Sequence, residues 1–435
     1  MSARVYIETY GCQMNLADSE LVLGHLRRAG YVRASSPDEA DVILLNTCAI
    51  REHAEERVLG RLGHFSRLKA SRPGVQLGVL GCMAQHLREK LLDRIPFVDF
   101  VVGPDSYRRL PELLAGGVAA ELRLGGEETY ADIEPERAPG VRAWIPIMRG
   151  CDRFCTFCIV PYVRGRERSV PASAVLEQAR RAAEAGYREV VLLGQTVNAY
   201  HDGEHDFAWL LRALDRLEGI ERIRFTSPHP ADMTDSAVEA MAECRHVCPQ
   251  IHLPVQSGSD RVLERMERGY TVEDYLRLVE KLRTAVPGIA LSTDVIVGFP
   301  GEEESDFEAT RRLLETVRYD HAFLFRYSPR PGTKAYRWGD TVPEEVKAER
   351  LRQVIELQER ISFEINQAEV GRVVEVLVEG PARRNPEQRS GKTPHFKTTV
   401  FEGKDASPGE LVSVRVEKAT AHTLVGRATR PLPTP

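Results

Sequence analysis

No stretch of this 435-residue sequence stays apolar long enough to span a bilayer, and the opening MSARVYIETYGCQMN has no continuous apolar core of secretory-leader length. These absences predict a cytoplasmic chain with no membrane attachment. Thiols stay reduced in that compartment, so the eight cysteines are better read as metal ligands than as a disulfide framework. Strong charge is missing too: a formal net charge of -5 by itself speaks against a nucleic-acid partner. A further lack says more. Six of the cysteines fall into two triads, Cys12/Cys48/Cys82 and Cys151/Cys155/Cys158, and each is one ligand short of a closed four-ligand site.

What is present fits a globular protein, with 42% hydrophobic and 28% charged residues and a length that asks for roughly two to four domains. The charge, small in sum, is uneven. From Gly371 onward eleven Lys and Arg stand against seven Asp and Glu, which leaves about -9 on the rest of the chain. That asymmetry points to a phosphate-rich partner for the C-terminal part.

Strand candidates Val5–Glu8, Val42–Leu45, Leu77–Leu80 and Val98–Val102 alternate with helical stretches such as Ser19–Ala29 and Arg51–Ala70. Alternation of this kind predicts a parallel sheet with helices on its faces and a ligand site beyond the strand C-termini. Cys12, Cys48 and Cys82 each follow such an end, so they are expected to meet at one rim. Residues 118–136 lie in an acidic Gly/Pro-containing stretch and read as a linker.

Six more strand–helix units follow, with strands over Trp144–Met148, Glu189–Leu193, Arg222–Thr226, Ile251–Val255, Leu291–Val297 and Ala322–Arg326. They predict a partial (β/α)6 barrel with its active face at the strand C-termini, where Cys151 lies. A long charged helix, about Pro343–Ala368, leads out of it. Beyond it, Arg372–Val378, Lys397–Phe401, Leu411–Val416 and Thr423–Arg427 alternate apolar and polar residues, the pattern of a small antiparallel β-barrel. Such barrels commonly bind oligonucleotides. The expectation is an α/β multidomain chain. It has an N-terminal parallel α/β sheet domain over 1–117, the partial barrel over 137–368 and the small β-barrel over 370–433.

Three thiolates on a four-iron cluster leave one iron free to chelate the amino and carboxylate groups of a small ligand. Zinc is the rival for C-x3-C-x2-C, but no nearby Cys or His completes a zinc site; the nearest histidine is His201. Cys244 and Cys248, spaced i and i+4, are expected in the core.

The run RGCDRFCTFCIVP after the first barrel strand resembles the radical S-adenosylmethionine (SAM) superfamily. In that superfamily a cluster passes one electron to the bound sulfonium and a 5′-deoxyadenosyl radical is released. The resemblance puts Phe157 near the adenine. It also gives SAM-binding roles to Gly194, Gln195 and Asn198 of LLGQTVNAY, to Gln256 and Ser257 of HLPVQSGSD, and to Asp294 before VIVGFPGEE. The whole architecture resembles the methylthiotransferases, which join a second three-cysteine cluster domain, a radical SAM barrel and a C-terminal TRAM barrel that binds RNA. YGCQMNLADSE, NTCAIREHAEERV, VPYVRGRERS and SGKTPHF look like the branch acting on isopentenyl-modified adenosine beside the tRNA anticodon. Gln13-Met14 stands where relatives that modify a ribosomal protein typically carry Pro-Lys, and where threonylcarbamoyl-adenosine relatives tend to carry Lys-Val.

The resemblance implies two 4Fe–4S clusters, each held by three cysteines with one open iron, and two SAM molecules per turnover. One SAM methylates a sulfur held at the Cys12/Cys48/Cys82 cluster. The other, at the Cys151/Cys155/Cys158 cluster, yields the radical that removes hydrogen from carbon 2 of the adenine. Implied partners are a tRNA anticodon stem-loop, a low-potential electron donor of flavodoxin or ferredoxin type, and a sulfur source; the chain is expected to be a monomer. Arg164, Arg166 and Arg168 are expected at anticodon phosphates, and Arg383, Arg384, Lys392, His395, Phe396 and Lys397 at RNA on the small barrel. The alternatives are methylthio transfer to threonylcarbamoyl-adenosine tRNA or to a ribosomal-protein aspartate. A noncatalytic iron–sulfur RNA-binding protein is a third, disfavoured by the open coordination positions.

Overall fold

The structure, a computed structural model, describes residues 2–48, 52–88, 90–116 and 119–429; for 52–57 and 59 it describes the backbone alone. The expected helix start at Arg51, the Ala49–Arg51 part of NTCAIREHAEERV and the last residues of the 370–433 segment lie outside the described residues.

Apolar strands buried on both faces build the first layer. Val42–Thr47 is buried at every residue, as a central parallel strand must be when helices cover both faces. Around it the six-stranded sheet runs, from one edge to the other, Val32–Arg33, Arg4–Thr9, Val42–Thr47, Gln76–Gly81, Phe100–Val102 and Ala120–Glu121. Every neighbouring pair is parallel. Register sets the strand ends level: Thr9 pairs with Asn46 and Thr47 with Gly81. Cys48 and Cys82 are the next residues along their strands, and Cys12 follows a two-residue turn.

The 118–136 segment is not a free linker. Ala120–Glu121 is the sheet's edge strand, and Tyr130 and Ile133 are buried in the domain core. Tyr130 donates its hydroxyl to the Pro104 carbonyl, and the Glu136 amide bonds the Glu20 carbonyl. Two apolar anchors in a polar, acidic stretch were enough to fix it.

Six strands follow as expected, in two three-stranded parallel halves. Arg142–Pro146, Glu189–Leu193 and Arg222–Phe225 form the first; Gln250–His252, Ala290–Val297 and His321–Arg326 form the second. One parallel bridge, Ile223 to Val247, links the halves. The helix Glu344–Gln367 then leads into a closed five-stranded barrel around Val376, Val378, Phe401 and Val414. Its pairs are antiparallel except one, Thr398–Glu402 with Leu424–Ala428. The strand Gln388–Lys392 was not expected, because QRSGK has no apolar alternation to show it. Among the described residues no helix is long and apolar enough to cross a membrane.

Candidate active site

Cys12 caps the helix Gln13–Arg28, Cys48 ends its strand's run, and Cys82 opens the helix Cys82–Leu87. Glycine makes the approach possible. Gly11 sits at φ +127°, and a Cβ there would lie 2.4 Å from the Cys48 Cβ. The neighbouring Cys48 side chain holds the Cys12 thiol down at about 6, against the opposing effect of burial. Burial pushes Cys82 up, partly offset by the Arg164 guanidinium.

Arg164 is the structure's main correction at this site. It was expected at anticodon phosphates, but it is buried, 4% exposed. Its Nε–H donates to the Cys82 sulfur at 3.2 Å, and its Nη2 donates to Asn15 Oδ1 at 3.0 Å and to Asp18 Oδ2 at 2.8 Å. Arg149 pairs with the other oxygen of Asp18 at 2.8 Å. Arg168 is turned inward as well, onto Asp105 and the carbonyls of Glu128, Arg164 and Arg166. Only Arg166 is exposed, paired with Asp152 and lying over the Phe154 ring. Carboxylate and phosphate offer arginine the same kind of charge-assisted hydrogen bond, and neither Asp18 nor Asp105 is near these arginines in sequence.

The second triad lies just past Arg142–Pro146 and the short strand Met148–Arg149. Cys151 meets the Thr196 hydroxyl at 3.3 Å, and Arg268 Nη1 donates to the Cys155 sulfur at 3.4 Å. Arg268 is itself fixed by the Tyr270 hydroxyl and the Pro254 carbonyl. Burial raises Cys151 and takes Cys158 up to about 12, with Cys155 adding to the shift at Cys158.

The two triads share one interface. Cys82 packs against Ile159 and Val163, directly after Cys158, while Cys12 and Met14 pack on Trp144, Val191 and Leu193 of the barrel strands. Both donor sets suit iron–sulfur clusters: among the described residues no cysteine is tied up in a disulfide, and buried guanidinium donors stand ready for two of the six sulfurs. Among the described residues no three His, Cys, Asp or Glu side chains stand close enough to share one ion. A four-iron cluster does not ask for that, since each thiolate takes its own iron.

The residues expected to bind SAM divide. Gln195 keeps a buried Oε1 with no partner, the kind of atom a ligand completes. Gln256 adopts φ +73° at the end of its half-sheet, and Asp294 faces His252 Nε2 at 3.4 Å. Phe157 packs edge-on against Phe299, and Gly194 lies against Met148. Asn198 and Ser257 are occupied within the protein. Both ends of the Asn198 amide bond the His229 backbone, and the Ser257 hydroxyl meets Thr310 and the Ser259 amide. Strand-end polar residues look alike in sequence whether they serve a ligand or a loop.

On the small barrel the correction is similar. Arg383 and Arg384 are exposed, as RNA contacts must be. The SGKTPHF segment is instead a docking surface. Arg222 and Arg224 donate to the carbonyls of Lys392, Thr393 and Pro394, and Lys397 bonds Asp320 and Asn366. Phe396 lies under Arg142, Arg224 and Lys392, and burial lowers Lys392 and His395.

Sequence reasoning missed Asp18, Arg149, Thr196, Arg268 and His229. Asp18 stands on Cys12's helix and Arg149 two residues before Cys151; that closeness was the available signal. His229 is buried, and burial followed by the charges of Arg268 and Arg153 takes it down to about 2, so it is neutral with Nε2 unpartnered.

Comparison with known proteins gives the class first. Residues 145–314 match the radical SAM superfamily, residues 367–429 the TRAM domain, and residues 4–103 the uncharacterized protein family UPF0004. Among solved structures, the radical SAM methyltransferase TsrM from Kitasatospora setae superposes with a TM-score of 0.59 at 14% identity over 77% of each chain. The cobalamin-dependent SAM radical enzyme OxsB gives 0.53 at 14% identity, over 83% of this chain and 56% of its own. At that identity the shared feature is the fold. The fold and the local triad therefore define a radical SAM enzyme, and with the class come a 4Fe–4S cluster and SAM. The tRNA-2-methylthio-N(6)-dimethylallyladenosine synthases of Chlorobium phaeovibrioides and Chlorobium limicola are each 48% identical, over 97% and 98% of this chain and 96% and 98% of theirs. The chain belongs to this family of tRNA methylthiotransferases.

Proposed function

We propose that this enzyme replaces the hydrogen on carbon 2 of isopentenyl-modified adenosine, beside the tRNA anticodon, with a methylthio group. The observation that carries the proposal is the shared interface: a second open triad packs, through Cys82, on the short helix Val160–Arg164 that follows the radical-forming triad. In this reading residues 1–117 hold the auxiliary cluster, 137–368 the radical SAM core and 370–433 the RNA-binding barrel. The bound clusters and SAM supply the methyl group, the sulfur site and the radical that a non-acidic C–H bond requires.

The chain's own side chains bind, orient and exclude. Cys12, Cys48 and Cys82 would hold one cluster and Cys151, Cys155 and Cys158 the other. Thr196 and Arg268 fix two sulfurs of the second triad. Met14 and Ala17, seated on Val191 and Leu193, keep water from the space between the domains. Gln195 offers a buried carbonyl to a donor on SAM, Gln256 and neutral His229 stand just past their strand ends, and Asp294 lies within the strand Ala290–Val297, level with Gln256. Arg166, Arg383 and Arg384 are the exposed cations for the anticodon stem-loop. A flavodoxin- or ferredoxin-type electron donor and a sulfur source complete the reaction, carried out by a cytoplasmic monomer.

The test incubates reduced enzyme and SAM with tRNA that does or does not carry the isopentenyl group, followed by mass analysis of the nucleosides. A methylthio group on the isopentenylated tRNA alone is expected. Its absence there, or equal transfer to unmodified adenosine, contradicts the proposal.

A further inference from the structure

Two arginines flank the radical-forming triad in sequence, Arg149 before Cys151 and Arg164 after Cys158. Both reach across the interface to one carboxylate, Asp18, on the helix that Cys12 caps. Asp18 is 0% exposed, Arg149 2% and Arg164 4%. Two guanidiniums against one carboxylate leave a net positive charge sealed beside the auxiliary triad. One of them also puts an N–H on a triad sulfur, Cys82 Sγ at 3.2 Å. Three of their donors, Arg149 Nε and Nη1 and Arg164 Nη1, are buried with no hydrogen-bond partner, although the Arg149 guanidinium lies over the Tyr130 ring. That is costly unless negative charge nearby repays it. In the apoprotein Asp18 pairs with both, and Asp105, held by Arg168, lies near enough to act on them; a cluster with three thiolates and an anionic sulfur ligand would add the negative charge that these donors lack.

We infer that Arg164 is a positioning residue that acts on the auxiliary cluster: its charge and its hydrogen bond to Cys82 raise that cluster's reduction potential. Hydrogen bonds to cluster sulfurs and nearby positive charge both stabilise the reduced form, and burial strengthens each. Because Arg164 belongs to the domain that generates the radical, the auxiliary cluster acquires its potential only when the two domains are docked. The inference rests on the assignment of a four-iron cluster to Cys12, Cys48 and Cys82.

The experiment is an EPR-monitored redox titration of the reconstituted full chain, in which Cys151, Cys155 and Cys158 are alanine so that one cluster is observed. Arg164→Gln should make the midpoint more negative, by about a tenfold change in the reduced-to-oxidised ratio, or ~59 mV for one electron. Arg164→Lys, which keeps the charge without the fork, should fall between. Asp18→Asn removes buried negative charge and should shift the midpoint the other way, upward. A purely structural role moves Arg164→Gln and Asp18→Asn in the same direction or moves neither, and either result overturns the inference. Should Arg164→Gln not retain iron, Asp18→Asn decides alone: an upward shift supports the inference, an unchanged or lower midpoint overturns it. Failure of the parent chain to take up about four irons would instead contradict the cluster assignment itself.

Discussion

Arg164, Arg166 and Arg168 stand two apart on one short stretch, yet only Arg166 reaches solvent. The motif was legible, but the destinations of its side chains were not, because Asp18 and Asp105 come from a different domain. Between these arginines, Glu167 shows a similar effect of surroundings. Burial and the Asp152 carboxylate raise it to about 7. Its folded value lies above its unfolded one, so the stability it contributes is complete below about pH 4.5 and is lost as pH rises through 7. Glu167→Gln does not ionise. Its thermal midpoint should match the parent at pH 4 and exceed it at pH 8; equal midpoints at both would show that Glu167 is not buried as described.

At the scale of elements, the starts of the helices Asp235–Glu243, Val272–Ala285 and Glu304–Val317 are legible because their signals are local. Thr234 caps the first, and capping boxes at Thr271 and Glu303 begin the others. The edge strands Val32–Arg33 and Ala120–Glu121 were not, since two residues show no period. Nor was the junction between the partial barrel and the small barrel. Glu189, the first residue of its strand and fully buried, holds both Arg142 and Arg224. Arg224 in turn clamps the carbonyls of Thr393 and Pro394. Removing one partner of a buried pair costs about 3–5 kcal/mol. Glu189→Ala should therefore loosen the junction, seen as faster proteolysis between the helix Glu344–Gln367 and the small barrel. Unchanged cleavage would place the docking energy elsewhere.

For the whole molecule, the order of domains and the two triads could be read from sequence because strand ends and cysteine spacings are local signals. The interface that brings the triads together could not, since it depends on packing between residues more than sixty positions apart, such as Cys82 on Ile159. The same distinction sorts the basic residues of the small barrel. Arg383→Ala with Arg384→Ala should flatten the salt dependence of tRNA binding, by roughly 0.7–0.9 in log–log slope for each phosphate no longer neutralised. Lys397→Ala, at the docking surface, should leave the slope near that of the parent chain. Similar slopes for all variants would move the RNA site off this loop.

If two independent open triads each hold a four-iron cluster, anaerobic reconstitution should load about eight irons per chain, and about four when either Cys12/Cys48/Cys82 or Cys151/Cys155/Cys158 is replaced by alanine. About four irons in the unaltered chain would rule out two such clusters.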